Sequence, residues 1–150
     1  MRRSIALAAR TMRENQGGPF AAVIVKDGRV VGEGHNQVTS ANDPTAHAEV
    51  VAIRNACRAL GHFSLAGCEI YASCEPCPMC LAAIYWARLD RIYYANSRRD
   101  AADIGFDDEF LYREIAKPLD QRAIPAQRLL ADEARAVFDA WRANPDKIRY

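Results

Sequence analysis

The apolar positions change period along the chain, and those changes mark out its elements. Between Arg3 and Gln16, Ile5, Leu7, Ala8, Ala9 and Met12 fall at roughly helical spacing until Gly17-Gly18-Pro19 stops the run, which predicts a first helix. Phe20 to Lys26 and Arg29 to Gly34 are short strand-like runs flanking Asp27-Gly28, a pair suited to the positive dihedrals of a tight hairpin turn. After a polar loop, Val38 to Pro44, a second helix is predicted from Ala46 to Leu60, with Val50, Ile53, Cys57 and Leu60 on one face and Gly61 as its stop. Glu69 to Ser73 reads as a buried strand, Pro78 to Leu89 as an apolar helix with Pro78 in its first turn, and Arg91 to Ala95 as the next strand. Strand, helix, strand in succession predicts a parallel pair. Beyond Ser97 the chain turns polar, with a helical piece near Asp107 to Ile115, an irregular stretch from Pro118 to Pro125 and a final helix over Asp132 to Ala143. The tail, Asn144 to Tyr150, has no assignment.

This order of elements predicts an α/β fold, a three-layer α/β/α sandwich on a mixed sheet of about five strands with helices on both faces. With 150 residues, 50% of them apolar, the chain is long enough for one domain over residues 1–150 with a sizeable core. Twenty Lys+Arg against nineteen Asp+Glu leave a formal net charge of +1, which gives no electrostatic preference for nucleic acid and favours a small ligand. Met1-Arg2-Arg3 followed by Ser4 to Ala9 resembles the start of a signal peptide, but Arg10, Arg13 and Glu14 interrupt it, and no apolar run reaches membrane-spanning length. A cytoplasmic protein without a membrane partner is expected. Five cysteines, Cys57, Cys68, Cys74, Cys77 and Cys80, are an odd number and argue against a disulfide framework, which leaves metal binding for the clustered ones.

The candidate chemistry lies in Thr45-Ala46-His47-Ala48-Glu49 and Pro76-Cys77-Pro78-Met79-Cys80. Positions three apart share a helix face, so Cys77 and Cys80 reach one ion, and the partial positive charge of a helix N-terminus stabilises their thiolates. A spacing of two would turn His47 and Glu49 to nearly opposite sides of a regular helix, so they must sit where the helix has barely begun. His47, Cys77 and Cys80 supply three ligands to Zn2+ and leave a fourth position for water, whose pKa the ion lowers toward neutrality, with Glu49 to carry its proton. A closed structural site adding Cys74 as fourth ligand is the alternative, although Cys74 reads as a strand end that points elsewhere. His35, His62, Cys57 and Cys68 stand outside the cluster and are assigned no chemistry.

His47-Ala48-Glu49 followed by Glu75-Pro76-Cys77-Pro78-Met79-Cys80 resembles the cytidine and deoxycytidylate deaminase superfamily, whose zinc deaminases carry an H-x-E and P-C-x-x-C pattern. Gly17-Gly18-Pro19-Phe20, Asn42 to Glu49, Ala83-Ile84-Tyr85-Trp86-Ala87-Arg88 and Gly105-Phe106-Asp107-Asp108 are similar to its bacterial guanine deaminase branch over nearly the whole chain. Other branches share the first three stretches in part, whereas Gly-Phe-Asp-Asp and a terminal tyrosine look specific to the guanine branch. The resemblance implies zinc on His47, Cys77 and Cys80, Glu49 as proton shuttle and Asp108 as a second catalytic residue that helps move the last proton. It further implies base contacts from Asn36 and Asp108, with Ala48 among the substrate-contacting positions. Phe20 and Trp86 would line the pocket, and Tyr150 would close it. It also implies a homodimer, swapped through a C-terminal segment that includes the 144–150 tail, although residues Leu129 to Lys147 depart most from the family pattern.

Guanine suits an ionised Asp108, because N1–H and the exocyclic amine are adjacent donors, whereas adenine offers a bare acceptor beside its amine. The expected reaction is attack of activated water at C2, protonation of a ring nitrogen by Glu49 and departure of ammonia to leave xanthine. Plainer readings stay open: a solvated acidic face for Asp107, Asp108 and Glu109, core packing for Trp86, and strand-end roles for Phe20 and Asn36. A tRNA adenosine deaminase, a guanosine or triazine deaminase with the same zinc site, and a zinc-stabilised binding module are the competing functions.

Overall fold

A computed structural model describes residues 1–149, in two compact units: the first runs from Met1 to Glu109 and the second begins at Phe110. In the first unit lie α1 (Arg2–Arg13), β1 (Ala21–Lys26), β2 (Arg29–His35), α2 (Ala48–Leu60), β3 (Cys68–Cys74), α3 (Pro78–Trp86), β4 (Arg91–Asn96) and α4 (Arg98–Asp103). α5 (Glu109–Ala116) begins at the boundary, and the second unit continues with a 3-10 turn at Leu119–Gln121 and α6 (Ala131–Ala143). Tyr150, expected to close the pocket, lies outside the described residues.

The sheet has the order β2-β1-β3-β4. β1 is antiparallel to both β2 and β3, and β3 is parallel to β4, so the sheet is mixed and the strand–helix–strand segment forms the expected parallel pair. The hairpin turn is as expected: Asp27 and Gly28 both take positive φ, 49° and 74°, which suits the twist of two tightly joined strands. The expectation of five strands is corrected to four among the described residues. Immediately after β4 the chain enters α4, because Ser97 caps it: the Ser97 hydroxyl accepts from the Asp100 backbone N–H at 3.3 Å, and the Asp100 carboxylate accepts from the Ser97 backbone N–H at 2.7 Å. This Ser-x-x-Asp capping box was present in the sequence and the periodicity reading passed over it.

Alternation along β2 sends its residues to two layers. Glu33 points toward α1, where Arg3 donates to its carboxylate at 2.5 and 2.9 Å, while Gly32 and Gly34 face α2. A Cβ on Gly34 would lie 2.3 Å from the Ala48 carbonyl oxygen and 2.4 Å from the Ala52 nitrogen, so only glycine lets the helix backbone come this close. The fully buried line of α2 is accordingly Ala48, Ala52 and Ala56, small residues facing glycines. The face expected from the sequence was Val50, Ile53, Cys57 and Leu60; of these Ile53, Cys57 and Leu60 are half-buried flanks packed against a core that contains Ala22, Ile24, Leu65, Ile70 and Ile84. Residue size misled the periodicity: the closest contact needed the smallest side chains.

α2 begins at Ala48 rather than Ala46, and α3 ends at Trp86 rather than Leu89, where Arg88 adopts a left-handed φ of 59° that no helix continues. The core-packing reading of Trp86 is also corrected, since its side chain is 69% exposed at the end of α3.

Candidate metal centre

Two helix beginnings meet at one point. His47 is the N-cap of α2, with extended backbone (φ −67°, ψ 154°), and Glu49 is the second residue of the helix that follows. This extended cap resolves the spacing problem, because His47 and Glu49 are not related by helical rotation. Cys77 is likewise the extended N-cap of α3 (φ −65°, ψ 168°), Pro78 fills the first helical position, and Cys80 lies three residues on in the first turn.

The loop before His47 is held by its own hydrogen bonds. The Asp43 carboxylate accepts from the Thr45 backbone N–H at 2.8 Å and the Thr45 hydroxyl at 2.7 Å, and these donors hold its carboxyl below the usual range. The Ala46 carbonyl accepts from Gln37 N–H at 2.9 Å, and the His47 carbonyl accepts the first bond of α2 from Val51 N–H at 3.0 Å. On the other side, Glu75 N–H donates to the Asn96 carbonyl at 2.8 Å, which ties the Cys77 loop to the end of β4.

The Nδ1 atom of His47 lies 3.6 Å from Cys77 Sγ and 3.5 Å from Cys80 Sγ, and the three ligand atoms are within 4.8 Å of one another. A tetrahedral zinc ion with Zn–S of about 2.3 Å and Zn–N of about 2.0 Å separates a sulfur and a nitrogen ligand by roughly 3.5 Å, so the donor set fits zinc in both chemistry and size. Cys74 is not part of the cluster: its buried Sγ contacts the Ser97 carbonyl at 3.6 Å, and burial raises the thiol to about 11. The closed four-ligand site that would have used it does not form among the described residues.

The electrostatics of the cluster are those of a cation site. Cys80 donates to Cys77, which lowers the Cys77 thiol to about 4, with the His47 ring acting in the same direction, and the same bond together with burial pushes Cys80 up. The Cys77 partner in turn raises His47. A divalent ion bound here would hold both sulfurs as thiolates. Glu49, only 8% exposed, lies beside Cys80; burial raises its carboxyl first, and the neighbouring Cys77 charge adds to the effect.

Asn36 and Phe20 sit beside each other at the ends of their strands, where Asn36 N–H donates to the Phe20 carbonyl at 2.9 Å. The buried Asn36 side chain is oriented by its Oδ1, which accepts from Gly18 N–H and Val38 N–H, both at 3.3 Å. Gly17 is forced at its position, since a Cβ there would lie 1.8 Å from the Asn36 carbonyl oxygen. The partly buried Asp108 has its carboxyl raised, by burial first and by the Cys77 charge second, so it lies within electrostatic reach of the ligands. Trp86 stands at the last position of α3, six residues and about 9 Å of helix rise from Cys80, and is mostly exposed. Phe106, named in the sequence only as part of a motif, packs edge-on against Phe20 with ring centroids 4.8 Å apart. No sequence period links these two rings.

Comparison with known proteins agrees with this geometry. The family model for the cytidine and deoxycytidylate deaminase zinc-binding region matches residues 1–96. The chain is 52% identical to guanine deaminase of Bacillus subtilis (strain 168) over 150 residues, 100% of this chain and 96% of that protein. It is 49% identical to the tRNA-specific adenosine deaminase of Agrobacterium fabrum over 86 residues, 57% of each chain. The X-ray structure of guanine deaminase from Bacillus subtilis superposes with a TM-score of 0.97, covering 99% of this chain and 95% of that one.

Proposed function

The chain belongs to the cytidine and deoxycytidylate deaminase family, and from that premise we infer that it is a zinc-dependent hydrolase that converts guanine and water to xanthine and ammonia. The carrying observation is the meeting of His47, Cys77 and Cys80 at zinc-ligand distances with the buried Glu49 carboxyl beside them. A purely structural zinc has no use for that carboxyl. The full-length similarity to a guanine deaminase, against a little over half the length for a tRNA-specific enzyme, favours the free base as substrate.

His47, Cys77 and Cys80 hold the ion, and zinc with an open fourth position supplies Lewis-acid activation of water. Glu49, kept ready to hold a proton by its burial, takes one from water at its carboxylate and gives it to the ring nitrogen next to C2; it then takes the second proton from the new C2 hydroxyl and passes it to the amine, which leaves as ammonia as the C2 carbonyl of xanthine forms. Asp108 accepts from N1–H and the exocyclic amine and thereby fixes the base with C2 toward the metal side. The orientation of Asn36, its Oδ1 already engaged, leaves its amide N–H groups for an acceptor on the purine. Phe20 supplies an apolar wall, and the backbone of Ala48 at the start of α2 lies next to the reacting centre.

A three-layer sandwich is supported by α1 on the Glu33 side of β2 and α2 on the Gly32 and Gly34 side. A homodimer in which the C-terminal segment crosses to the partner completes this reading. It is supported by the second unit, in which neither α5 nor α6 has a buried residue, and by the exposed Trp86 and Tyr85 of α3, which a partner would cover. Among the described residues no helix is long and apolar enough to cross a membrane, and the thiols outside the metal site, Cys57, Cys68 and Cys74, suit the reducing cytoplasm.

The test is ammonia release from the zinc-loaded protein given guanine, guanosine, adenine, cytosine or a tRNA anticodon stem-loop. Release from guanine alone is expected. Release from guanosine or RNA would keep the zinc chemistry and overturn the substrate, and silence on all would return the chain to a binding role.

A further inference from the structure

Asp108 stands on a short loop between α4 and α5, and a loop carboxylate is a useful base reader only if its backbone is fixed to a fraction of an ångström. The residues around it divide that work. Gly105 takes a left-handed φ of 92° and turns the chain out of α4, with its N–H on the Ala102 carbonyl at 2.9 Å. Phe106 N–H donates to the Ala101 carbonyl at 2.9 Å. The Asp107 carboxylate accepts from Glu109 N–H at 2.9 Å, so this acid starts α5 and is spent on the backbone. Those bonds are all local and tie the loop only to its own neighbours. The contact that carries it to the pocket wall is the Phe106 ring, perpendicular to Phe20 at 88° with centroids 4.8 Å apart. Its tip also lies over Gly18, where a Cβ would meet Phe106 Cζ at 3.4 Å and Phe20 Cδ2 at 3.3 Å.

We propose that Phe106 is a positioning residue that fixes Asp108 for base recognition by docking edge-on against Phe20 in the notch left by Gly18. This rests on the assignment of Asp108 as the carboxylate that reads guanine. An edge-to-face pair has a defined angle as well as a distance, so it restrains the loop more than an aliphatic contact of equal area. Phe106 remains 47% exposed, so its removal leaves no core cavity.

A double-substitution cycle tests the proposal, because two residues acting through one another lose their energies non-additively. Phe106→Ala is expected to lower kcat/KM for guanine by about tenfold or more, a loss of about 1.4 kcal/mol, mostly through KM, in the otherwise natural chain. In the Asp108→Asn background the same change should cost less than about twofold. Phe106→Leu should restore only part of the natural value. Amide hydrogen exchange over residues 104–109 should rise in Phe106→Ala with zinc content unchanged, a readout that stands whatever the substrate proves to be. Equal losses in both backgrounds, or full activity and unchanged exchange in Phe106→Ala, overturn the positioning role. If Asp108→Asn alone leaves guanine turnover intact, the base-reading assignment fails, and the exchange measurement still decides whether Phe106 fixes the loop.

Discussion

Glu49 and Asp108 are both raised carboxyls, and they are raised for different ends. Glu49 is buried beside the ligands, where loss of solvent favours its protonated form and makes it able to give back the proton it takes. Glu49→Gln keeps the shape and removes the proton. Zinc content by metal analysis should be unchanged, and ammonia release should fall by at least about 10²-fold, the lower range for loss of a general acid–base group; activity near the natural level would exclude the role. Asp108 acts in the opposite form, as an acceptor that must be ionised. Because burial lifts its carboxyl, it loses that form on acidification earlier than an ordinary aspartate. KM for guanine should therefore climb as pH falls, starting above the usual aspartate range, and Asp108→Asn should give a high KM with that limb flattened. A natural enzyme whose KM shows no acid limb would detach Asp108 from binding.

At the level of elements, the site is an outcome of how closely α2 lies on the sheet. Gly32 and Gly34 let Ala48, Ala52 and Ala56 touch the strand backbone, and this contact sets where the N-cap His47 and the neighbouring Glu49 stand. Gly34→Ala places a methyl against backbone atoms of α2, which cannot rotate away as a side chain would. A loss of about 1–3 kcal/mol in stability is expected, together with weaker zinc binding in chelator competition; a variant with natural thermal midpoint and zinc affinity would show that α2 is free to shift. The same contact shows what the sequence could and could not disclose. The hairpin was legible because its signal lies in residues a few positions apart, the parallel pair because strand, helix and strand follow in order, and the cluster of His47, Cys77 and Cys80 because its donors fall in two short motifs. The buried face of α2 was not, since large side chains dominate a periodicity and small ones made the contact. The Phe20–Phe106 pair joins distant segments that share no period, and α4 was hidden because its signal lay in a polar cap rather than an apolar stripe.

On the scale of the whole molecule, the second unit poses a burial problem. Neither of its helices contains a buried residue, yet Ala134, Val137, Phe138 and Trp141 recur on α6 at the spacing of one helical stripe. A segment this short cannot enclose a core of its own, and an exposed stripe of this kind is the surface that assembly covers. A crossing C-terminal segment in a homodimer would bury it and would bring each chain's tail to its partner's pocket. Sedimentation of the natural protein should then give a dimer at micromolar concentration. Phe138→Asp combined with Trp141→Asp puts two charges where the partner must pack, far from the zinc ligands in sequence. The doubly substituted chain should sediment as a monomer that retains zinc and releases ammonia from guanine much more slowly, because its pockets lack the neighbour's tail. If it stays dimeric, α6 is not the crossing element; if it becomes monomeric and keeps full turnover, the pocket is complete within one chain and the tail has no part in closing it.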